Sequence, residues 1–544
     1  MGKASASARK RKRTLTARTK TWPAWLGPAA IIVLTLIAYI PAMRAGFIWD
    51  DDRYVTNNPL LTAPDGLRRI WFSLDSPSQY FPLVYTAFRF EYAFWGLDPA
   101  GYHAVNVFLH IANALLVWLL LRRLSVRGAW LAGAIFALHP IHVESVAWIS
   151  ERKNVLSTLF YLLSVLAWLK FVEKSTANPG RYYVASMASA LLALTAKTTA
   201  CTLPAALVLV LWLRNERIDR RRIVQILPFV GLGIALGLVS VWWEQYHQGT
   251  KGPEFAFTPT DRILIASRAI WFYIGKLVWP ARLAFNYPRW TIDPRDAVQY
   301  MWLAACVVAA FGIWHWRRII GKGTLAALIF FVAALSPTLG FISLYTFRYT
   351  FVADHYQYIA SIGLVGLIAA ATTREWRQLT LRFVMRYVLP SVVLLILGGL
   401  TWRQAQAYQD PPTLWRDVIA KYPASWMAHN NLGTELLAEG DFEEAAEHYA
   451  QALRAKPDLP EAHYNLGRAY AAVGKQKEAI AAYEGALRFK PDLGPAHYSL
   501  AIALYHEGQY AQAWSEVELA RKHGASPDPD FLQALARRMP EPMR

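Results

Sequence analysis

Over its first four hundred residues the chain alternates long apolar runs with short polar ones, and beyond them the pattern changes to a repeat. The apolar runs cover 27–43, 103–121, 129–138, 156–172, 182–196, 203–213, 224–242, 301–314, 325–344, 358–371 and 388–400. About 20 apolar residues in a helix cross the hydrocarbon of a bilayer, so the shorter runs must extend into their aromatic flanks. A twelfth stretch, 263–279, is apolar but carries Arg268 and Lys276. These periodicities predict an all-α, polytopic membrane protein.

Charge decides the topology. With 57 basic and 38 acidic residues the formal charge is +19, which in a soluble chain would suggest nucleic acid. Between apolar runs, clustered Lys and Arg instead mark cytoplasmic loops, and no nucleic-acid partner is expected. The basic tail 1–22 places the N-terminus in the cytoplasm. The loops 122–127 and 214–222 then fall inside, and so do 317–322 and 374–386 if 263–279 lies along the outer surface. This gives about eleven spans within 23–402, an external loop at 44–101, an external interfacial region at 244–298 and a linker with a leading helix at 403–425. A bacterial inner membrane is the expected location, with the C-terminal part periplasmic.

From residue 426 to 544 the chain repeats itself. Leu432, Leu466 and Leu500 stand 34 residues apart, as do Gly440, Gly474 and Gly508, and Ala445, Ala479 and Ala513. A period of 34 with small residues at helix contacts is the signature of tetratricopeptide (TPR) units, here about three repeats and a cap. Stacked units leave a concave groove suited to a protein or peptide partner.

The candidate chemistry lies in the predicted external segments. Asp50, Asp51 and Asp52 follow the first span directly, and carboxylates beside hydrocarbon are costly unless they have a partner or a task. Asp51 and Asp50 are the candidates for a general base. His139, His142 and Glu144 form His-x-x-His-x-Glu, which offers ligands to a divalent cation but matches no zinc motif; no metal site is assigned. Together with Asp52, Asp354 and His355, these side chains are candidates for the donor or acceptor site. Arg152, Lys153, Lys197, Arg268, Lys276 and Arg282 lie on the outer side against the positive-inside rule, where cations can meet a lipid phosphate. Carboxylates and cations at the outer interface fit transfer of a sugar from a polyprenyl phosphate to an external acceptor, with phosphate as leaving group. No nucleotide-binding loop occurs.

The ordered set Trp49-Asp50-Asp51 with Asn58-Pro59, Tyr102-His103 with Asn106 and His110, His139-Pro140 to Trp148 with Arg152-Lys153, and Asp354-His355-Tyr356, followed by TPR units, resembles the transmembrane and TPR-containing O-mannosyltransferases and their bacterial relatives. The resemblance implies the GT-C glycosyltransferase fold, a polyprenyl-phosphate sugar as donor substrate, a protein acceptor guided by the TPR groove, and a catalytic carboxylate at Asp50 or Asp51. A membrane-anchored TPR scaffold for envelope or pilus assembly, without catalysis, is the competing expectation. A transporter of lipid-linked sugars fits less well, because no inverted repeat is visible.

Overall fold

The computed structural model describes residues 23, 25–74, 79–374 and 379–542. The basic tail 1–22 lies outside the described residues. All regular elements among those described are helices.

The first apolar run forms α1 (Leu26–Ala38), and the segment after it carries two short helices, α2 (Gly66–Phe72) and α3 (Pro82–Trp95). Then come α4 (Pro99–Arg123), α5 (Ala129–Leu138), the single-turn α6 (Val143–Ala147), α7 (Arg152–Val172), α8 (Pro179–Ala196), α9 (Leu203–Leu213) and α10 (Arg220–Tyr246). The ambiguous stretch is α11 (Pro259–Val278), opened by a capping box between Thr258 and Asp261. It buries Ile265, Ala269, Tyr273 and Leu277 on one face. The remaining runs are α12 (Met301–His315), α13 (Arg317–Leu335), α14 (Ser361–Thr372), the short α15 (Leu379–Phe383) and α16 (Leu389–Gln406).

Each of the eleven predicted apolar runs thus corresponds to a helix. Six stretches are long and apolar enough to cross a membrane: 99–123, 149–172, 220–246, 297–315, 317–338 and 384–406. Four more apolar helices, at 26–38, 129–138, 198–213 and 361–372, are shorter. The chain is an integral membrane protein.

At the centre, α4 and α5 pack on each other, with α1, α14 and α16 around α5 and α7 against α4. One face of α4 carries His103, Asn106, His110 and Asn113, at helical spacing and all fully buried. Their partners are backbone carbonyls that the irregular chain around them leaves open. Asn106 donates to Val146 O and Trp148 O (3.2 and 3.3 Å), and Asn113 donates to Val155 O (2.8 Å). His110 Nε2 lies 3.0 Å from Ala137 O, and its Nδ1 lies 2.6 Å from the Tyr358 hydroxyl. Broken helical chain at membrane depth persists only when such groups are satisfied by protein, and α4 supplies donors across the breaks between α5, α6 and α7.

The tail is a stack of helix pairs. A leading helix, α17 (Pro411–Lys421), precedes α18 (Trp426–Glu439) with α19 (Phe442–Ala455), α20 (Pro460–Ala472) with α21 (Gln476–Phe489), and α22 (Gly494–His506) with α23 (Tyr510–Lys522); α24 (Pro529–Arg538) covers the end. The recurrent glycines sit at the turn within each pair in the left-handed region, with φ 93°, 77° and 75° at Gly440, Gly474 and Gly508, where a side chain would be strained. Gly467 has a second reason: an added Cβ would lie 2.5 Å from the Tyr483 ring. The stack is seated on the membrane part through α17. Trp415 is buried between Trp49 and Phe285, with ring centroids 5.3 and 5.5 Å away.

Candidate active site

Asp51 and Asp50 are neighbours in the chain and face different surroundings. Trp49, immediately before them, holds a left-handed backbone (φ 47°), unusual and costly for a bulky residue. Its ring is clamped edge-on by Trp415 and Phe285, which offsets that cost. After this turn Asp51 points into protein. It is fully buried and accepts hydrogen bonds from the backbone N–H of Ile48 (2.9 Å), the backbone N–H of Ser150 (2.8 Å) and the Ser150 hydroxyl. Burial dominates over these donors and pushes the Asp51 carboxyl up to about 7. Asp50 is half-buried and lines a cavity between the membrane helices and the repeat stack. Burial raises its pKa, against the opposing pull of Lys153 and Arg53. Asp52 is exposed and its carboxylate accepts from the next backbone N–H, 2.6 Å away.

The same cavity is lined by a charged cluster that the sequence scatters over two hundred residues. Glu151, fully buried, pairs with Lys153 (2.8 Å) and Lys197 (3.3 Å). Glu144 accepts from the backbone N–H of His355 at 2.9 Å, and its other oxygen lies 2.9 Å from the His355 ring Nδ1. The His355 Nε2 lies 3.8 Å from Glu151 and links the two carboxylates. Above the cluster, the Lys153 ammonium lies over the rings of Tyr54 and Trp148, at 5.2 and 5.4 Å. Burial brings Lys197 down to about 8, despite Glu151 beside it. An ammonium has three donors, so a lysine held by one carboxylate still has hydrogen atoms to offer an anionic ligand.

The expected site residues therefore separate. Asp50, Glu144, Lys153, Lys197 and His355 line one cavity. Arg152, expected to contact phosphate, is turned away and fully buried: its guanidinium bonds to Glu91, to Asn106 Oδ1 and to Tyr102 O (2.8 Å) over the ring of Phe88. A guanidinium among apolar helices needs several partners, and these absorb it. Arg268 lies over Trp290 at 4.2 Å, and Lys276 donates to Ala281 O (2.7 Å) and Arg282 O (3.1 Å). Arg282 is exposed beside a second cavity. Asp354 is buried and accepts from the Tyr287 hydroxyl at 2.9 Å; burial, reinforced by Glu144, raises its pKa well above the usual carboxylate range.

The histidine motif does not converge on an ion. His139 Nε2 lies 2.9 Å from Leu277 O while its Nδ1 accepts from Ile141 N–H, and His142 is held between Phe136 O (2.8 Å) and the Ser361 hydroxyl (3.0 Å). Among the described residues, no group of three or more His, Cys, Asp or Glu side chains is arranged around a common point for a metal ion.

Sequence reading missed Glu244 and Tyr345. Glu244 sits late in the apolar α10, lines the cavity, and accepts from Gln79 Nε2 (2.7 Å) and Tyr345 N–H (2.9 Å). A carboxylate just beyond the end of the apolar run 224–242, at the predicted outer interface, was itself a signal. Met427 of the first TPR helix also reaches the cavity, so the repeat stack forms part of its wall.

Comparison with known proteins places these features. The family model described as dolichyl-phosphate-mannose-protein mannosyltransferase matches residues 98–243, and tetratricopeptide repeat models match 413–460, 430–493 and 494–513. The protein O-mannosyl-transferase F38B6.6 of Caenorhabditis elegans is 25% identical over 453 residues, covering 78% of this chain and 62% of that protein. The protein O-mannosyl-transferase tmtc2 of Xenopus laevis is 39% identical over 148 residues, covering 25% of this chain and 18% of that protein. The chain thus spans less than two thirds of the length of either relative. Among solved structures, ArnT from Cupriavidus metallidurans bound to undecaprenyl phosphate is similar at 13% identity with a TM-score of 0.37, covering 94% of this chain and 91% of that one. In both its membrane part and its repeats, the chain resembles the TPR-containing protein O-mannosyltransferases.

Proposed function

We propose that this protein is a membrane glycosyltransferase that moves a sugar, mannose by analogy with the matched family, from a polyprenyl phosphate to a hydroxyl of a protein acceptor outside the cytoplasm. The observation that carries the reading is that Asp50, Lys153 and Lys197 line one cavity, with Met427 of the TPR stack at its wall. The names of the matched mannosyltransferases support the donor class.

In this reading Asp50 is the base. It takes the proton of the acceptor hydroxyl while the oxygen bonds to the anomeric carbon, and the bond from that carbon to the phosphate oxygen breaks with its electron pair. Lys153 and Lys197 stabilise the charge that develops on the phosphate. A carboxyl raised by burial is a stronger proton acceptor than one in water. Asp51 positions Asp50 by fixing the turn to Ser150, and His355 holds Glu144 and Glu151 in register.

The matching topology has eleven spans within 23–402, with α11 at the outer interface and the N-terminus in the cytoplasm. The linker 403–425 and the TPR stack from 426 lie in the periplasm of a bacterial inner membrane. The stack's groove guides the protein acceptor.

The test uses the full-length protein with a radiolabelled polyprenyl-phosphate mannose and an envelope extract. The wild type transfers label to protein and Asp50→Asn loses at least about a hundredfold, the usual contribution of a positioned base. Transfer by Asp50→Asn at the wild-type rate sinks the assignment.

A further inference from the structure

A second cavity opens at the junction of the membrane part and the TPR stack, lined by Arg282, Arg403, Arg416 and Lys421 together with the apolar Pro140 and Leu400. Its basic residues come from three parts of the chain: the turn after α11, the last turns of α16, and α17.

The junction is a built one. Lys421 Nζ donates to Leu283 O (2.6 Å), Gln404 Oε1 (3.1 Å) and Asp417 (2.6 Å), tying α17 to both membrane segments. Arg282 has a left-handed backbone (φ 52°), and its carbonyl is gripped by Lys276 (3.1 Å) and by the Tyr422 hydroxyl (3.3 Å). This fixes the strained residue so that its side chain faces the cavity edge. Arg416 reaches Glu444 at 3.4 Å, a solvent-exposed pair worth little. The cavity's one carboxylate, Asp417, is taken by Lys421, and the Arg282 and Arg403 guanidinium groups have no carboxylate or carbonyl partner among the described residues.

Arg403 lies three residues before the end of a helix apolar enough to span, on the side from which the TPR stack emerges. That is headgroup depth, with Leu400 one helical turn deeper toward the hydrocarbon. Two unpaired guanidinium groups with an apolar floor at this depth match a phosphate ester carrying an acyl or prenyl chain. We infer that this cavity binds the phosphate of a membrane lipid between the Arg282 and Arg403 guanidinium groups, and so fastens the TPR stack to the membrane part. The source of that phosphate is an anionic phospholipid or a polyprenyl phosphate. The inference does not depend on the glycosyl-transfer reading, because it concerns binding away from Asp50.

The experiment places full-length protein in phosphatidylcholine nanodiscs containing either phosphatidylglycerol or polyprenyl phosphate, with inorganic phosphate as a third arm, and measures retained ligand by mass spectrometry. Retention of either lipid above phosphatidylcholine is expected, and the arm that retains identifies the source. Arg282→Gln with Arg403→Gln should weaken it about tenfold or more, the scale of losing one charge-assisted hydrogen bond. Because that double variant can fail to fold, Arg403→Gln alone is measured beside it, and the wild type alone already tests the inference. Wild-type protein that retains neither lipid above phosphatidylcholine overturns it, as does competition by inorganic phosphate equal to that of the lipids, or unchanged retention in folded variants.

Discussion

Asp51 and Ser150, ninety-nine residues apart, are joined by two hydrogen bonds, one from the serine backbone N–H at 2.8 Å and one from its hydroxyl to the same carboxylate oxygen. The pin brings the first polar loop against the start of α7, which is why Asp50, one residue earlier, faces the cluster around Glu151. Asp51→Asn keeps the shape but replaces one acceptor oxygen with an amide that cannot accept. It should cost about 1–3 kcal/mol of stability, the penalty for unpaired buried donors, measured by thermal unfolding in detergent. Its effect on transfer should track unfolding, whereas Asp50→Asn should fold normally and fail in catalysis.

The same carboxyl predicts a pH dependence. Burial raises Asp51 in the folded protein to about 7, above its ordinary value of 3.8, so the folded state binds the extra proton. The sign follows from linkage: the stabilisation from this proton is complete below about 4 and is lost as pH rises through about 7. Thermal midpoints of the wild type should fall over that interval, and Asp51→Asn should flatten the fall. A wild-type midpoint that rises from pH 4 to 7, with the variant rising in parallel, would contradict it.

Lys197 sets a limit on the alkaline side. Its ammonium, lowered by burial to about 8, loses its charge above that pH and with it one of the two cations that the proposed mechanism offers to the donor phosphate. The KM for the lipid-linked sugar should rise as pH climbs through about 8. Lys197→Arg should remove this limb, since guanidinium stays charged, and a profile unmoved by the substitution would rule out Lys197 as its origin.

Arg152 gives a contrasting case. Removing its charge leaves Glu91 buried without its guanidinium, and breaking one partner of a buried pair costs about 3–5 kcal/mol. Arg152→Met should therefore fold poorly or unfold at lower temperature, while whatever folded protein remains binds donor with nearly unchanged KM. A folded, stable variant with a selectively raised KM would restore Arg152 to the phosphate site.

Trp415 is the hinge pin of the repeat stack. Its indole is 1% exposed, between Trp49 and Phe285. Trp415→Ala should cost about 3–5 kcal/mol through the cavity it leaves and release the strained turn at Trp49. Limited proteolysis should then cut near 403–425 sooner than in the wild type, and transfer should fall even though no group in the catalytic cavity has been removed.

The sequence by itself determined the elements: eleven apolar runs became eleven helices, and the 34-residue spacing of Leu432, Leu466 and Leu500 became three helix pairs with glycine at each turn. Both signals are local, because a span is recognised from its own composition and a repeat from its own period. It also gathered the charged candidates of the external segments, Asp50, Glu144, Lys153, Lys197 and His355 among them, since charged groups beside hydrocarbon are few and costly; that these five line one cavity is a tertiary fact. Tertiary structure alone decided which of two adjacent aspartates faces the cavity and which is pinned to Ser150. It alone separated Lys153 in the cavity from Arg152 among the helices, and brought Glu244 to Gln79 and Tyr345. The physical reason is that neighbouring residues on a turn or a helix point in different directions, and a buried charge settles where partners from distant segments meet it.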